Sequence, residues 1–99
     1  MAEELKVDDG FYGRADSFIH LANEHCADIG RGKVSASFMY GMSRFNAWIS
    51  ATGFESSEDM KASRQATIDY FVAQYKAMLE ENLDDYIDHF AKYMSNTEA

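Results

Sequence analysis

The sequence predicts an all-α protein, folded as a compact antiparallel bundle of three main helices plus a short C-terminal fourth helix. Its 99 residues contain no proline, so no residue forbids a long helix. No run alternates apolar and polar residues, and no Asn-Gly or Asp-Gly hairpin turn occurs. Apolar residues recur instead at the three-to-four spacing that places them on one face of a helix.

The first helix is predicted over residues 9–29. Asp8 or Asp9 can cap its start, and Gly30 can end it in a left-handed conformation. A short loop at residues 31–33 is expected to follow. The apolar stripe of this helix consists of Phe11, Ala15, Phe18, Ile19, Ala22, Cys26 and Ile29.

The second helix is predicted over residues 34–52, with Gly53 as its stop. Its main stripe consists of Val34, Phe38, Met42, Phe45, Trp48 and Ile49. A second apolar side consists of Ala36, Met39, Tyr40, Ala47 and Ala51. A helix that is apolar on most sides is usually covered from two directions, so we expect a central position for it and a buried Trp48.

The third helix is predicted to begin after a loop at residues 54–56, with Ser56 or Ser57 as its cap. Ser56 and Asp59 have the spacing of a capping box. Helix-favouring sequence continues to about Met94, but one straight helix of that length would measure about 57 Å. We therefore predict a break at residues 81–82, with Asn82 capping a fourth helix over residues 83–94. The alternative is an unbroken helix in which Asn82 specifies the register of a dimer.

The predicted break also bears on the oligomeric state. A separate fourth helix could fold back and cover the second apolar side of the second helix, which predicts a monomer or at most a weak homodimer. An unbroken helix would leave that side as an interface. Residues 9–94 are predicted to form a single domain, and residues 1–8 and 95–99 to be disordered tails.

Composition excludes several classes of partner. The net charge of −8 opposes binding to nucleic acid and to anionic membranes, and it favours a basic protein as partner. No stretch approaches the roughly 18 apolar residues of a membrane helix, and the N-terminus lacks the pattern of a signal peptide. A single cysteine allows no internal disulfide, so we expect a cytoplasmic location.

No catalytic, cofactor-binding or metal-binding set is predicted. His25 and Cys26 are adjacent on a helix and point about 100° apart, so they are poorly placed to exchange a proton. Cys26 belongs to the apolar stripe and is expected in the core. Asp16, His20 and Glu24 form a row that we interpret as a solvated face, because no zinc or di-iron motif accompanies it.

Two groups of polar residues are candidate sites. The candidate polar cluster consists of Asn23, Arg44, Asn46 and Asp69, which a bundle could bring together as a hydrogen-bond network or as a binding site. The candidate acidic face consists of Glu80, Glu81, Asp84, Asp85 and Asp88. We interpret the acidic face as solvated carboxylates at the start of a helix, with a basic partner or a metal ion as alternatives.

Several stretches resemble a known family. They are ADSFI at 15–19, LAN at 21–23, RGKVSA at 31–36, RFNA at 44–47, IDYF at 68–71 and MLEENLDDY at 78–86. In these stretches the chain resembles the bacterial family catalogued as domain of unknown function 3144. The resemblance implies a compact helical bacterial protein, and it implies no activity, cofactor or site residue.

Three functions remain open at this point. We predict a non-enzymatic cytoplasmic accessory or protein-interaction domain, because no convergent acid, base and nucleophile are evident. A small-molecule-binding protein is the first alternative, and a dry pocket lined by aromatic rings would favour it. An enzyme is the second alternative, favoured by a pocket that holds a histidine beside a carboxylate. Its residues would come from Asp16, His20, His25, Arg44 and Asp69.

Overall fold

The computed structural model describes residues 7–95, and within that range the regular structure is entirely helical. The prediction of an all-α protein is therefore confirmed. The helices are α1 (Phe11–Ile29), α2 (Arg31–Ala51), α3 (Ser57–Ala62), α4 (Arg64–Asp88) and α5 (Phe90–Ser95). The described chain divides into two compact units, residues 7–60 and residues 61–95, and each is described by itself.

In the N-terminal unit, Gly30 alone connects α1 to α2. Its φ of 96° and ψ of 156° are accessible to glycine but not to other residues without strain. The Gly30 N–H donates to the carbonyl of Cys26, and the Gly30 carbonyl accepts from the N–H of Val34. The predicted loop at residues 31–33 is wrong, because one glycine with positive φ serves both helix ends and α2 begins directly at Arg31.

The outer ends of α1 and α2 lie within one or two residues of the predicted ends. Before α1, the Asp8 carboxylate accepts hydrogen bonds from the N–H of Gly10, at 3.1 Å, and from the guanidinium of Arg14, at 2.7 Å. At the far end, α2 stops one residue earlier than predicted, and the Gly53 N–H donates to the carbonyl of Ser50. The predicted aspartate cap is wrong, because Gly10 is the N-cap residue of α1 and no side chain caps this helix. The glycine after α2 was a reliable signal.

The start of the third predicted helix is confirmed, but that helix is interrupted early. The Ser56 hydroxyl accepts a hydrogen bond from the N–H of Asp59 at 3.1 Å, as expected of an N-cap. Ser63 then leaves the helical conformation, with φ −99° and ψ 7°, and separates α3 from α4. No glycine or proline marks this interruption in the sequence.

The predicted break at Asn82 is wrong, because α4 continues through it to Asp88. The Asn82 amide nitrogen donates to the carbonyl of Met78 at 2.9 Å, so this side chain bonds backward along the helix instead of capping a new one. The chain leaves the helix at His89, with φ −123° and ψ 32°, and α5 is only six residues long. The monomer prediction rested on a longer fourth helix and loses that support.

Few side chains are buried in the described part of the chain. Val34, 6% exposed, is the buried residue there, and it lies near the start of α2. Trp48 is 62% exposed, so the expectation of a buried tryptophan is wrong for the single chain. Cys26 is half-buried. The predicted disordered tails, residues 1–8 and 95–99, fall largely outside the described residues.

Candidate functional site

An open apolar groove of about 690 Å³ lies between α1 and α2. The two helices contribute its large side chains in equal number. These are Phe18, Leu21 and Ile29 from α1 and Phe38, Met42 and Phe45 from α2. Val34 lies at the end of the groove near Gly30, where the two helices approach each other. The groove therefore belongs wholly to the N-terminal unit.

Helical spacing places these side chains on facing stripes. Phe18, Ala22, Ile29 and four members of the main α2 stripe were assigned to inward faces from the sequence, and all of them line the groove. Sequence reasoning missed Leu21, His25, Ser37 and Gly41. A signal for Leu21 and His25 was present, because Leu21 follows Phe18 by three residues and His25 follows Leu21 by four, which places both on the same side of α1.

The apolar surface continues beyond the groove toward the end of α2. The rings of Phe45 and Trp48 lie 5.8 Å apart, centroid to centroid, in a tilted arrangement. Phe45 is 58% exposed, although it lines the groove. Large rings of this kind release much free energy when water is removed from them, so the arrangement is suited to contact with another apolar surface.

His25 is the titratable side chain that lines the groove. The residues that line the groove with it include no aspartate or glutamate. His20, which lies on another side of α1, has its Nε2 3.5 Å from a carboxylate oxygen of Glu24. The combination of a pocket histidine with a carboxylate, which would favour an enzyme, is therefore not found in this groove.

The candidate polar cluster is not assembled by hydrogen bonds. Asn23 and Arg44 are exposed, and Asn46 is half-buried. Asp69, in the C-terminal unit, accepts a hydrogen bond from the amide of Gln65 at 2.9 Å. Within residues 7–95 no hydrogen bond or ion pair joins any two side chains of the cluster.

The candidate acidic face lies on the last turns of α4, not at the start of a helix. Glu80 forms an ion pair with Lys76, one turn earlier. The side chains of Glu81, Asp84 and Asp88 are exposed. Across the described residues no three histidine, cysteine or acidic side chains gather in a way that could hold a metal ion.

Asp85 differs from the rest of the acidic face because it bridges α4 and α5. Its carboxylate accepts a hydrogen bond from the Tyr93 hydroxyl at 2.7 Å and lies 3.1 Å from Nδ1 of His89. The hydrogen bond to Asp85 raises the pKa of Tyr93, with burial as a smaller cause. The Tyr93 ring also stacks on that of Tyr86, with centroids 4.4 Å apart. These contacts hold α5 against the end of α4.

Comparison with protein families gives one assignment. Residues 11–87 match the model of the family described as a protein of unknown function, DUF3144. The chain belongs to this family. The match includes every residue that lines the groove, whereas His89 and Tyr93 lie beyond its end. The groove is thus part of the DUF3144 region itself.

No curated protein matches the chain, and no solved structure matches it. In the described residues of this DUF3144 chain, no helix combines the length and apolar character needed to cross a membrane.

Proposed function

We propose that this chain is a non-enzymatic protein-interaction domain of the bacterial cytoplasm, and that its α1–α2 groove receives an amphipathic helix. The observation that carries the proposal is the open, apolar form of the groove. Recognition of a helix by such a groove depends on apolar anchors at three-to-four spacing.

The size of the exposed surface supports this interpretation. A large side chain has an accessible area of about 200 Å² when it is fully exposed. With the exposed fractions observed for the six large groove residues and for Trp48, these seven side chains expose roughly 700 Å² of apolar surface. The largest apolar patch on a typical soluble monomer covers about 300–600 Å². A surface above that range is better explained as an interaction site than as ordinary exposure.

The charge of the chain limits the partners outside the groove. Glu81, Asp84 and Asp88 are exposed on α4, and the whole chain carries a net charge of −8. Coulomb attraction therefore favours a basic protein surface over nucleic acid or an anionic membrane as the contact of these carboxylates. The single cysteine and the acidic composition are compatible with the proposed cytoplasmic location.

A small-molecule site is the second candidate, favoured by the aromatic rings of Phe18, Phe38 and Phe45 in the groove. The volume of about 690 Å³ lies within the range of ligand pockets. Such pockets usually enclose most of the surface of their ligand, whereas the large side chains that line this groove are 41–60% exposed. An extended apolar helix matches that shape better than a compact ligand.

The proposal can be tested in intact cells with a photo-crosslinking benzoylphenylalanine placed at Phe45. Irradiation should join Phe45 to an apolar helical segment, which peptide mass spectrometry identifies. The matched control carries the same group at Tyr40, which is exposed on another side of α2 and does not line the groove. An adduct at Phe45 that is absent from the control supports the proposal. Equal labelling at both positions, or no polypeptide adduct at Phe45, contradicts it.

A further inference from the structure

The C-terminal unit carries an apolar stripe of the kind that the groove accepts. Residues of α4 at three-to-four spacing form this stripe, and all of them are exposed: Ile68, Val72, Tyr75, Leu79, Leu83 and Tyr86. The stripe is about 27 Å long at 1.5 Å per residue, whereas each side of the groove spans about 17 Å. Because α4 is not broken at Asn82, the stripe is continuous, and it is longer than the groove.

Charge complementarity selects one direction for such a helix. Arg31 and Lys33 are exposed at the start of α2, at the end of the groove near Gly30. The carboxylates of Glu81 and Asp84 are exposed near the end of α4. An α4 helix that runs antiparallel to α2 brings these opposite charges together, whereas the parallel direction separates them. In this register Val72 lies beside Phe45.

Both apolar surfaces are exposed in the single chain. Phe45 in the groove is 58% exposed, and Val72 on the stripe is 59% exposed. In a pair of chains, the stripe of each copy can cover the groove of the other, so both surfaces are covered together. In such a pair each copy buries both its groove and its stripe, so the roughly 700 Å² of groove and Trp48 surface is one part of the buried area, and the two parts together reach the roughly 800 Å² that each partner buries in a stable interface.

We propose that the chain forms a symmetric homodimer in which the α4 helix of each copy lies in the α1–α2 groove of the other. The contact is isologous, because the same two surfaces meet twice around a two-fold axis. The inference rests on the proposed function, since it names the helix that the groove receives. It identifies a second copy, and not an unrelated protein, as the partner at this site.

The mass in solution provides the first test. Light scattering of the full chain should give twice the chain mass of 11.2 kDa. Phe45→Glu in the groove and Val72→Glu on the stripe should each reduce the mass to that of one chain at the same concentration. The controls Ser43→Glu and Tyr70→Glu introduce the same charge on the opposite sides of α2 and α4, and they should remain dimeric. A wild-type chain of single mass overturns the proposal.

Chemical cross-linking provides the second test and does not depend on whether the glutamate variants fold. The protein carries Cys26→Ser together with Phe45→Cys and Val72→Cys, and it is treated with a short bismaleimide. The proposal predicts a product of two chains, and mixed chains that each carry one of the two cysteines should also be joined. A product of single-chain mass overturns the dimer and assigns the groove to the chain's own α4.

The two proposals can fail separately. If the purified chain is monomeric and gives no cross-linked product, the dimer is wrong. A photo-adduct between Phe45 and a helix of another protein in cells would then still support the interaction function. If Phe45 also gives no polypeptide adduct, both proposals are wrong.

Discussion

At the residue scale, the best-defined electrostatic contact in the N-terminal unit precedes α1. The Arg14 guanidinium donates hydrogen bonds to both carboxylate oxygens of Asp8, and the Gly10 N–H donates to one of them. The hydrogen bond from Arg14 is the largest cause that lowers the pKa of Asp8 to about 2. The same contact raises the pKa of Arg14. The charged form of Asp8 therefore helps to fix the start of the helix.

This contact predicts an acid-sensitive start of α1. Because the pKa of Asp8 in the folded chain lies below its unfolded value of about 3.9, the stabilisation is complete above that pH and is lost as the pH falls toward 2. Carbon-detected NMR titration of the Asp8 carboxyl should show the lowered midpoint. Asp8→Asn should remove this acid-dependent loss of helix at residues 11–14. Asp9→Asn, which leaves the contact with Arg14 in place, should preserve it.

The contact between Asp85 and Tyr93 predicts the opposite pH dependence. The pKa of Tyr93 is raised, so its stabilisation of the α4–α5 junction is complete below the unfolded pKa of about 10 and is lost as the pH rises through the folded pKa. Absorbance near 295 nm should show that one of the six tyrosines ionises later than in the unfolded chain. Asp85→Asn should remove this delay, and Asp84→Asn should not. A titration curve unchanged by Asp85→Asn would contradict the assignment.

At the element scale, the connection between α1 and α2 depends on the backbone freedom of Gly30. Gly30→Ala should reduce the free energy of unfolding by about 1–3 kcal/mol, because its φ and ψ lie in a region that glycine alone occupies readily. An added Cβ meets no atom within 4 Å, so the cost arises from the backbone and not from a clash. Denaturant unfolding followed by circular dichroism, at one fixed protein concentration, measures the effect.

Gly32→Ala is the matched control for this prediction. Gly32 lies in the first turn of α2, has negative φ, and also leaves open space for a Cβ. Alanine favours helix over glycine by about 0.5–1 kcal/mol, so this variant should be neutral or more stable. Equal destabilisation by both substitutions would show that Gly30 has no special conformational role.

The sequence predicted the elements whose signals are local. Helical spacing gave the all-α class and the apolar stripes that line the groove, and Gly30 and Gly53 marked helix ends. The breaks at Ser63 and His89 have no glycine or proline beside them, so no local signal identified them. From the sequence, Asn82 could be either an N-cap or a residue inside a helix. The observed hydrogen bond from its side chain to the carbonyl of Met78 shows that it lies inside the helix.

The candidate site was predictable in part for the same reason. Stripes on α1 and α2 predict apolar faces that lie opposite each other, and residues of both faces line the groove. The prediction of the polar cluster depended on which helix edges lie side by side. The spacing of residues within one helix does not show which helix is its neighbour, so the sequence could not test whether Asn23, Arg44, Asn46 and Asp69 come together. His89 and Tyr93 form the junction with Asp85 because the chain bends at His89, and the sequence alone did not indicate that bend.

At the scale of the whole molecule, a single chain buries little apolar surface, so little hydrophobic stabilisation offsets the conformational entropy lost on folding. Of its 99 residues 46% are hydrophobic, yet Val34 is the buried side chain in the described range. Ordering each residue costs about 1–2 kcal/mol of backbone entropy, which burial of apolar surface must balance. Covering Phe18, Phe45 and Trp48 would add several kcal/mol of stabilisation at about 25 cal/mol per Å². Folding and association should therefore be coupled.

Such coupling predicts that thermal stability depends on protein concentration. Mass action stabilises an associated folded state as concentration rises, so the melting temperature of the wild-type chain should increase by about 4 °C for each tenfold increase, taking about 0.7 kcal/mol of unfolding enthalpy per residue for two chains. Calorimetry over a hundredfold concentration range, on the order of 2 to 200 µM, should resolve this shift. Ser43→Glu should retain it. Phe45→Glu should melt at a lower temperature with no dependence on concentration, because its groove no longer accepts α4. A wild-type melting temperature that is independent of concentration would show that the single chain folds without a partner, and the exposed groove would then need another explanation.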